Sequence, residues 1–168
     1  KPHRWRKVFL DMQAEGRNDL ARFLAGVVHR TSPMTQLGLM SSPPRAHCLE
    51  GRQWDEFCEA LADGQMLSCR PGLANYWEGT LRGFYHSQDC IKLTRHCLPA
   101  GTLEYAEVEN APMTRYADSA AYTFLKMAIS FAMGCDAAAL NLYDHCGTPM
   151  ETESAFGRLM REKKPFLN

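Results

Sequence analysis

Leu103-Glu104-Tyr105-Ala106-Glu107-Val108-Glu109-Asn110, followed by Ala-Pro-Met-Thr-Arg-Tyr through residue 116, sets how the rest of the chain is read. A Pro-Ala-Gly-Thr turn precedes this stretch and a polar run closes it, which is the outline of a short strand. Side chains alternate along a strand, so Glu107 and Glu109 share one face while Val108 takes the other. Carboxylates on a strand face are costly to bury unless they are paired, hydrogen-bonded or used. The stretch is therefore either an exposed edge strand with solvated acids or the C-terminal end of a central strand in an α/β sheet. Such sheets place their chemistry at that end.

Outward from this strand, the apolar pattern alternates between the two periods of regular structure. Trp5, Val8, Phe9 and Met12 fall at helical spacing and Gly16 interrupts them. Leu20, Phe23, Leu24, Val27 and Val28 then form an amphipathic stripe with Asn18 as an N-cap, and the helix is expected to stop near Arg30 before Thr-Ser-Pro. Gln36 to Met40 suits a buried strand, and the proline-rich run 41–51 a loop. Trp54, Phe57, Cys58 and Leu61 mark a helix ending at Gly64. A weaker strand covers 66–70, and its loop carries Asn75, Tyr76, Trp77 and Glu78. Ser87 is expected to cap a helix with Cys90, Ile91, Thr94, Cys97 and Leu98 on one side. After the Glu107/Glu109 strand comes the most hydrophobic helix, 119–133, with Phe124, Leu125, Ala128, Ile129 and Phe131. A strand over 137–143 ends in Asp144-His145-Cys146-Gly147. Thr152 then caps a last helix with Phe156, Leu159 and Met160 inward, and Pro165 stops it.

The order is one helix, then strand–helix four times over, which implies an α/β fold with a parallel sheet and right-handed crossovers. No glycine-rich phosphate loop follows any strand, which argues against a dinucleotide site, and no cofactor is expected. Polar and aromatic residues gather after every strand instead, the pattern of a TIM (β/α)8 barrel. A whole barrel needs about 250 residues and eight strands. The expectation is thus a single domain, 1–168, forming the C-terminal half of a barrel: its fifth to eighth parallel strands with flanking helices. The opening Lys1-Pro2-His3, without an initiator methionine, fits a fragment. A small open four-stranded sheet is the competing architecture.

The totals narrow the function classes. Nineteen basic and nineteen acidic side chains balance, so no basic field points to nucleic acid or an anionic membrane. No apolar run is long enough to span a bilayer. Seven cysteines without CxxC spacing, and no signal peptide, argue for reduced thiols in a cytoplasmic protein and against a zinc site. Cys58, Cys90 and Cys97 fall on apolar helical faces, where cysteine packs as a small hydrophobe. His3, His29, His86 and His96 read as solvated surface.

The run Leu39-Met40-Ser41-Ser42-Pro43-Pro44, then His47-Cys48-Leu49-Glu50-Gly51-Arg52, then Glu107-Val108-Glu109-Asn110 resembles the latter half of bacterial (β/α)8 glycoside hydrolases of the β-galactosidase-like group. Thr114-Arg115-Tyr116 and Leu140-Asn141-Leu142-Tyr143-Asp144 extend the resemblance over most of 36–168. It implies a glycosidase whose nucleophile is a glutamate ending the seventh barrel strand, with a proton donor on the fourth, upstream of Lys1. The fragment alone would be nearly inactive.

Glycosidic cleavage wants two carboxyl groups, about 5–5.5 Å apart for retention or about 6.5–9.5 Å for inversion. Glu107 and Glu109 are spaced about 6.6–6.8 Å along one strand, but both approach from one wall. One catalytic carboxylate is expected here: Glu109, nearer the open end, as nucleophile. Glu107 would lie deeper, holding Arg115 or a sugar hydroxyl. Tyr76 and Trp77 suit a sugar platform, although Trp77 can equally pack under its own loop. Asn110, Arg115, Tyr116, Asn141, Asp144 and His145 would line the sugar site, with His47 and Glu50 on the first rim loop. Arg115 can instead serve a structural ion pair, and Asp144 a turn. A metal-dependent sugar isomerase or aldolase-type barrel is the alternative, with Glu107, Glu109, Asp144 and His145 as ligands. A non-catalytic sugar-binding protein is the third. Open sheet edges would favour a homo-oligomer.

Overall fold

The computed structural model describes residues 2–73, 76–80 and 82–167. Asn75, expected in the loop before Tyr76, lies outside them. The elements run α1 (Pro2–Thr31), β1 (Gly38–Ser41), α2 (Pro44–Leu49), α3 (Trp54–Ala62), β2 (Ser68–Pro71), α4 (Gly83–Cys97), β3 (Leu103–Glu109), α5 (Ala120–Ala132), β4 (Ala137–Asn141), a 3-10 turn (Met150–Glu153) and α6 (Ser154–Leu167). The four strands form one parallel sheet in the order β1-β2-β3-β4. The expected helix-then-strand–helix order holds. The short helix α2 is new within the proline-rich loop, because Pro44 stands at its first position, where a missing N–H costs nothing.

Contacts gather into two compact units, residues 1–70 with 93–103, and 71–92 with 104–168. In the first, Leu39, Trp54, Cys58, Leu67 and Cys69 form the core. Helix α1 packs on α3 and departs from its expected reading in three ways. Gly16 does not interrupt it, Asn18 is not a cap, and the apolar stripe is not its buried face. The docked face is instead Ala14, Asn18, Ala21 and Ala25, all buried, while Trp5, Phe9, Met12 and Phe23 are 59–72% exposed. Contacts remote in sequence fix this rotation. Asn18 Nδ2 donates to Glu56 Oε2 at 3.1 Å, and Arg17 Nη1 to the Glu50 carbonyl at 2.8 Å. Gly51, at φ +77°, brings its backbone so close that a Cβ there would stand 2.8 Å from Leu10 Cβ. His29, read as solvated, bonds Asp63 Oδ2 at 2.8 Å and the Thr35 carbonyl at 3.0 Å.

In the second unit, Leu73, Ile91, Ala106, Val108, Met127, Cys135, Leu142 and Leu159 form the core. Ser87 is buried inside α4, donating to the Gly83 carbonyl at 3.1 Å, so it is a back-bonded helix residue and not the cap. Ser119 does cap α5, accepting from the Tyr122 amide at 3.1 Å. The buried face of α5 is Tyr122, Thr123, Lys126, Met127 and Ser130, while Leu125, one of the apolar residues that marked the helix, is 40% exposed. In α6, Leu159 is inward as expected, and Pro165 lies inside the helix instead of stopping it. The seven cysteines form no disulfide among the described residues, and Cys58 and Cys90 are buried as small hydrophobes.

Close docking through alanines makes α1 intolerant of bulk on that side. Ala25→Leu should lower unfolding free energy by about 1–3 kcal/mol through overpacking. A denaturant midpoint equal to that of the parent chain would contradict the helix rotation.

Candidate functional site

Strand β3 pairs parallel with β4, with Tyr105, Glu107 and Glu109 opposite Ala137, Ala139 and Asn141. Ala106 and Val108 point into the core, so the acids occupy the other face, beside the short side chains of Ala137 and Ala139. Glu107 is 7% exposed, and Glu109 at the strand end is half-buried. Neither acid is turned out to bulk water, which removes the exposed-edge reading.

The Tyr76 hydroxyl donates to Glu107 Oε2. Burial raises the phenol's pKa first, then the bond to Glu107, then the charges of Glu107 and Glu109. Tyr76 is therefore a neutral donor held against the acid pair, more than a stacking platform. The Trp77 ring, 63% exposed, rests against Gly79, and its carbonyl accepts from the Tyr122 hydroxyl at 2.9 Å.

The end of β3 is held from behind by Lys126. Its Nζ donates to Asp118 Oδ2 at 2.6 Å, to Asn110 Oδ1 at 3.1 Å and to the Glu109 carbonyl. The Lys126 and Asp118 side chains are both fully buried. Burial pulls the ammonium's pKa down, and Asp118 opposes that shift. Asn110 is a scaffold residue. Its amide donates to the Asn141 carbonyl at 3.0 Å, its Nδ2 to the Leu142 carbonyl at 3.1 Å, and its Oδ1 accepts from Thr123 Oγ1 at 3.1 Å. Glu78 completes the support: its amide donates to Asp118 Oδ1 at 3.1 Å, and its carboxylate accepts from the Ser119 amide at 2.7 Å.

The loops after β3 and β4 meet, the His145 amide donating to the Met113 carbonyl at 2.9 Å. His145 Nε2 lies 3.2 Å from Asn141 Oδ1. Asp144 Oδ1 accepts from the Cys146 amide at 2.9 Å and the Thr148 amide at 3.3 Å, the turn role left open for it. Arg115 stacks over the ring of the exposed Tyr116 at 5.0 Å. It does not pair with Glu107, whose hydroxyl partner Tyr76 comes from a loop remote in sequence. Among the described residues no three of His, Cys, Asp and Glu gather as a metal site. Glu107, Glu109, Asp144 and His145 thus do not form the ligand set expected of a metal-dependent isomerase.

His47 and Glu50 belong to the first unit. His47 Nε2 accepts from the Ser42 amide at 3.0 Å, so Nδ1 carries the proton and faces Glu50 Oε2 at 3.4 Å. Burial, then the charge of Arg52, lowers the His47 pKa below 6.5. Its place in the structure is to hold the turn after β1.

Sequence reasoning passed over Lys126, Asp118 and Thr123, and placed Glu78 in its loop without giving it a role. The available signal was a lysine set within the most apolar helix, a position lysine occupies only when paired. No helix of the described residues is long and apolar enough to cross a membrane. Comparison with protein families, characterised proteins and solved structures found no match.

Lys126→Met leaves Asp118 buried without its cation and should cost about 3–5 kcal/mol, part of which Asp118→Asn restores in the double variant. Equal stability of parent and Lys126→Met in denaturant melts would exclude this role. For His47, the unfolded chain takes up a proton near pH 6.5 while the folded ring resists it. The unfolded state then binds more protons, so stability falls as pH drops below 6.5. His47→Gln should flatten that acid-side decline in melts at pH 5 and 7. An unchanged slope would contradict the assignment.

Proposed function

We propose that the chain is a carbohydrate-active hydrolase built on half of a (β/α)8 barrel, acting on a glycoside with Glu109 as nucleophile. The observation that carries this reading is a pair of carboxylates on the non-core face of a parallel strand at its C-terminal end, one of them bound by a neutral tyrosine. A nucleophile must be ionised and reachable. Glu109 is at the strand's mouth and half-buried, and its backbone is held by Lys126. It would attack the anomeric carbon as the leaving oxygen departs through an oxocarbenium-like transition state. Glu107, deeper and bonded to Tyr76, supplies a second negative charge beneath that developing cation. A proton donor on the opposite side of the bond completes the reaction and is not assigned to either glutamate.

Trp77 offers an exposed ring to the C–H face of a sugar, Asn141 at the end of β4 stands opposite Glu109, and Arg115, Tyr116 and His145 stand on the two loops that meet after β3 and β4. Asp144 shapes the β4 loop through its turn, and Asn110 anchors the β3 end. Both act on sugar contacts through the backbone they hold.

An iminosugar carries its charge where the transition state does, so its binding reads the carboxylates even where turnover is slow. Titration calorimetry with a panel of iminosugars should detect binding that Glu109→Gln weakens on the order of 10–100-fold, since a charge-assisted bond is lost. Aryl-glycoside turnover, where measurable, should fall on the order of 10³-fold or more in the same variant. Absence of binding across the panel, or parent-like binding and turnover by Glu109→Gln, would remove the nucleophile assignment.

A further inference from the structure

Helix α1 carries a long apolar face on the side away from α3. Trp5, Phe9, Met12, Leu20, Phe23 and Val27 are all 39–72% exposed, and Val8 and Leu24 widen the stripe. The positions 5, 9, 12, 16, 20, 23 and 27 repeat a 4-3-4 spacing twice, through Gly16. Eleven residues per three turns is 3.67 per turn, close to the 3.6 of a straight helix, so the stripe stays on one side for about 33 Å. Gly16 is its midpoint, and a Cβ added there would meet nothing within 4 Å. The backbone is bare where a second helix would approach most closely.

The size of this surface matches what one side of a two-copy interface buries. Side chains of this kind and exposure leave on the order of 800 Å² of apolar surface, the contribution each partner makes to a stable interface and above what a lone monomer usually exposes. The charges beside the midpoint set the arrangement. Glu15 and Asp19 border one margin of the stripe, Asp19 paired there with Arg22 at 2.8 Å, and Arg17 borders the other, its Nη1 on the Glu50 carbonyl. Two copies laid parallel bring the acidic margin of one against the arginine margin of the other, whereas antiparallel copies would oppose like charges.

We infer that this face is an interface between two copies of the chain, joined by parallel α1 helices that touch at Gly16. This places self-association on α1 and not on the open strand edges, and it stands independently of the sugar reading.

The full chain should sediment at twice its 19.0 kDa mass at roughly 100 µM. Phe9→Glu with Phe23→Glu, both on the exposed face, should raise the dimer dissociation constant at least about 100-fold with an unchanged circular dichroism spectrum. In a background with the exposed Cys48 and Cys146 replaced by serine, Gly16→Cys should form a disulfide-linked dimer on mild oxidation. A monomeric parent chain, polydisperse aggregates, or a dimer that survives the double glutamate variant would each overturn the interface.

Discussion

The end of β3 depends on one buried cation. Lys126 reaches from α5 to Asp118, to Asn110 and to the carbonyl of Glu109, so a helix, a loop and a strand end are tied at a single nitrogen. A buried ammonium survives only where its charge is matched and its donors are used, and here they are. The carboxylate that matches it is itself braced by the Glu78 amide, and Glu78 in turn holds the Ser119 cap of α5. This network joins the buried polar side chains of Lys126, Asp118 and Asn110. Its effect is to fix where the side chain of Glu109 leaves the backbone.

The opposite face of β3 solves a different problem. Glu107 is nearly buried beside alanines that offer it no hydrogen bond, and the phenol of Tyr76 is supplied to it from the loop after β2. The residues opposite the acids on β4 are Ala139 and Asn141, and Glu107 lies deeper along the strand than Glu109. Burial therefore acts twice on this face: it keeps Tyr76 protonated, and it strengthens any interaction between the carboxylates and an arriving positive charge.

Helix α1 illustrates how small and polar residues can decide an orientation against a hydrophobic stripe. Ala14, Ala21 and Ala25 allow close approach to α3, and Asn18 and His29 find partners there that they would lose on rotation. Rotation to bury Trp5, Phe9 and Phe23 would expose those alanines and break those bonds. The apolar surface left outside has the length and area of a helix–helix contact.

Local periodicity determined a large part of this protein. Alternation along 103–109 put Glu107 and Glu109 on one face, and the element order implied a parallel sheet, whereas the Asn18 and Ser87 caps expected from composition did not form. The first two follow from the sequence alone because strand parity and the spacing of strands and helices are set by neighbours within a few residues. Tertiary contact alone decided which side of α1 and of α5 is buried, why Lys126 is tolerated inside, and that Glu107 binds Tyr76 where Arg115 had been expected. Helix rotation and side-chain pairing are chosen between residues far apart in the chain, such as Asn18 and Glu56 or Tyr76 and Glu107, and no local pattern records that choice.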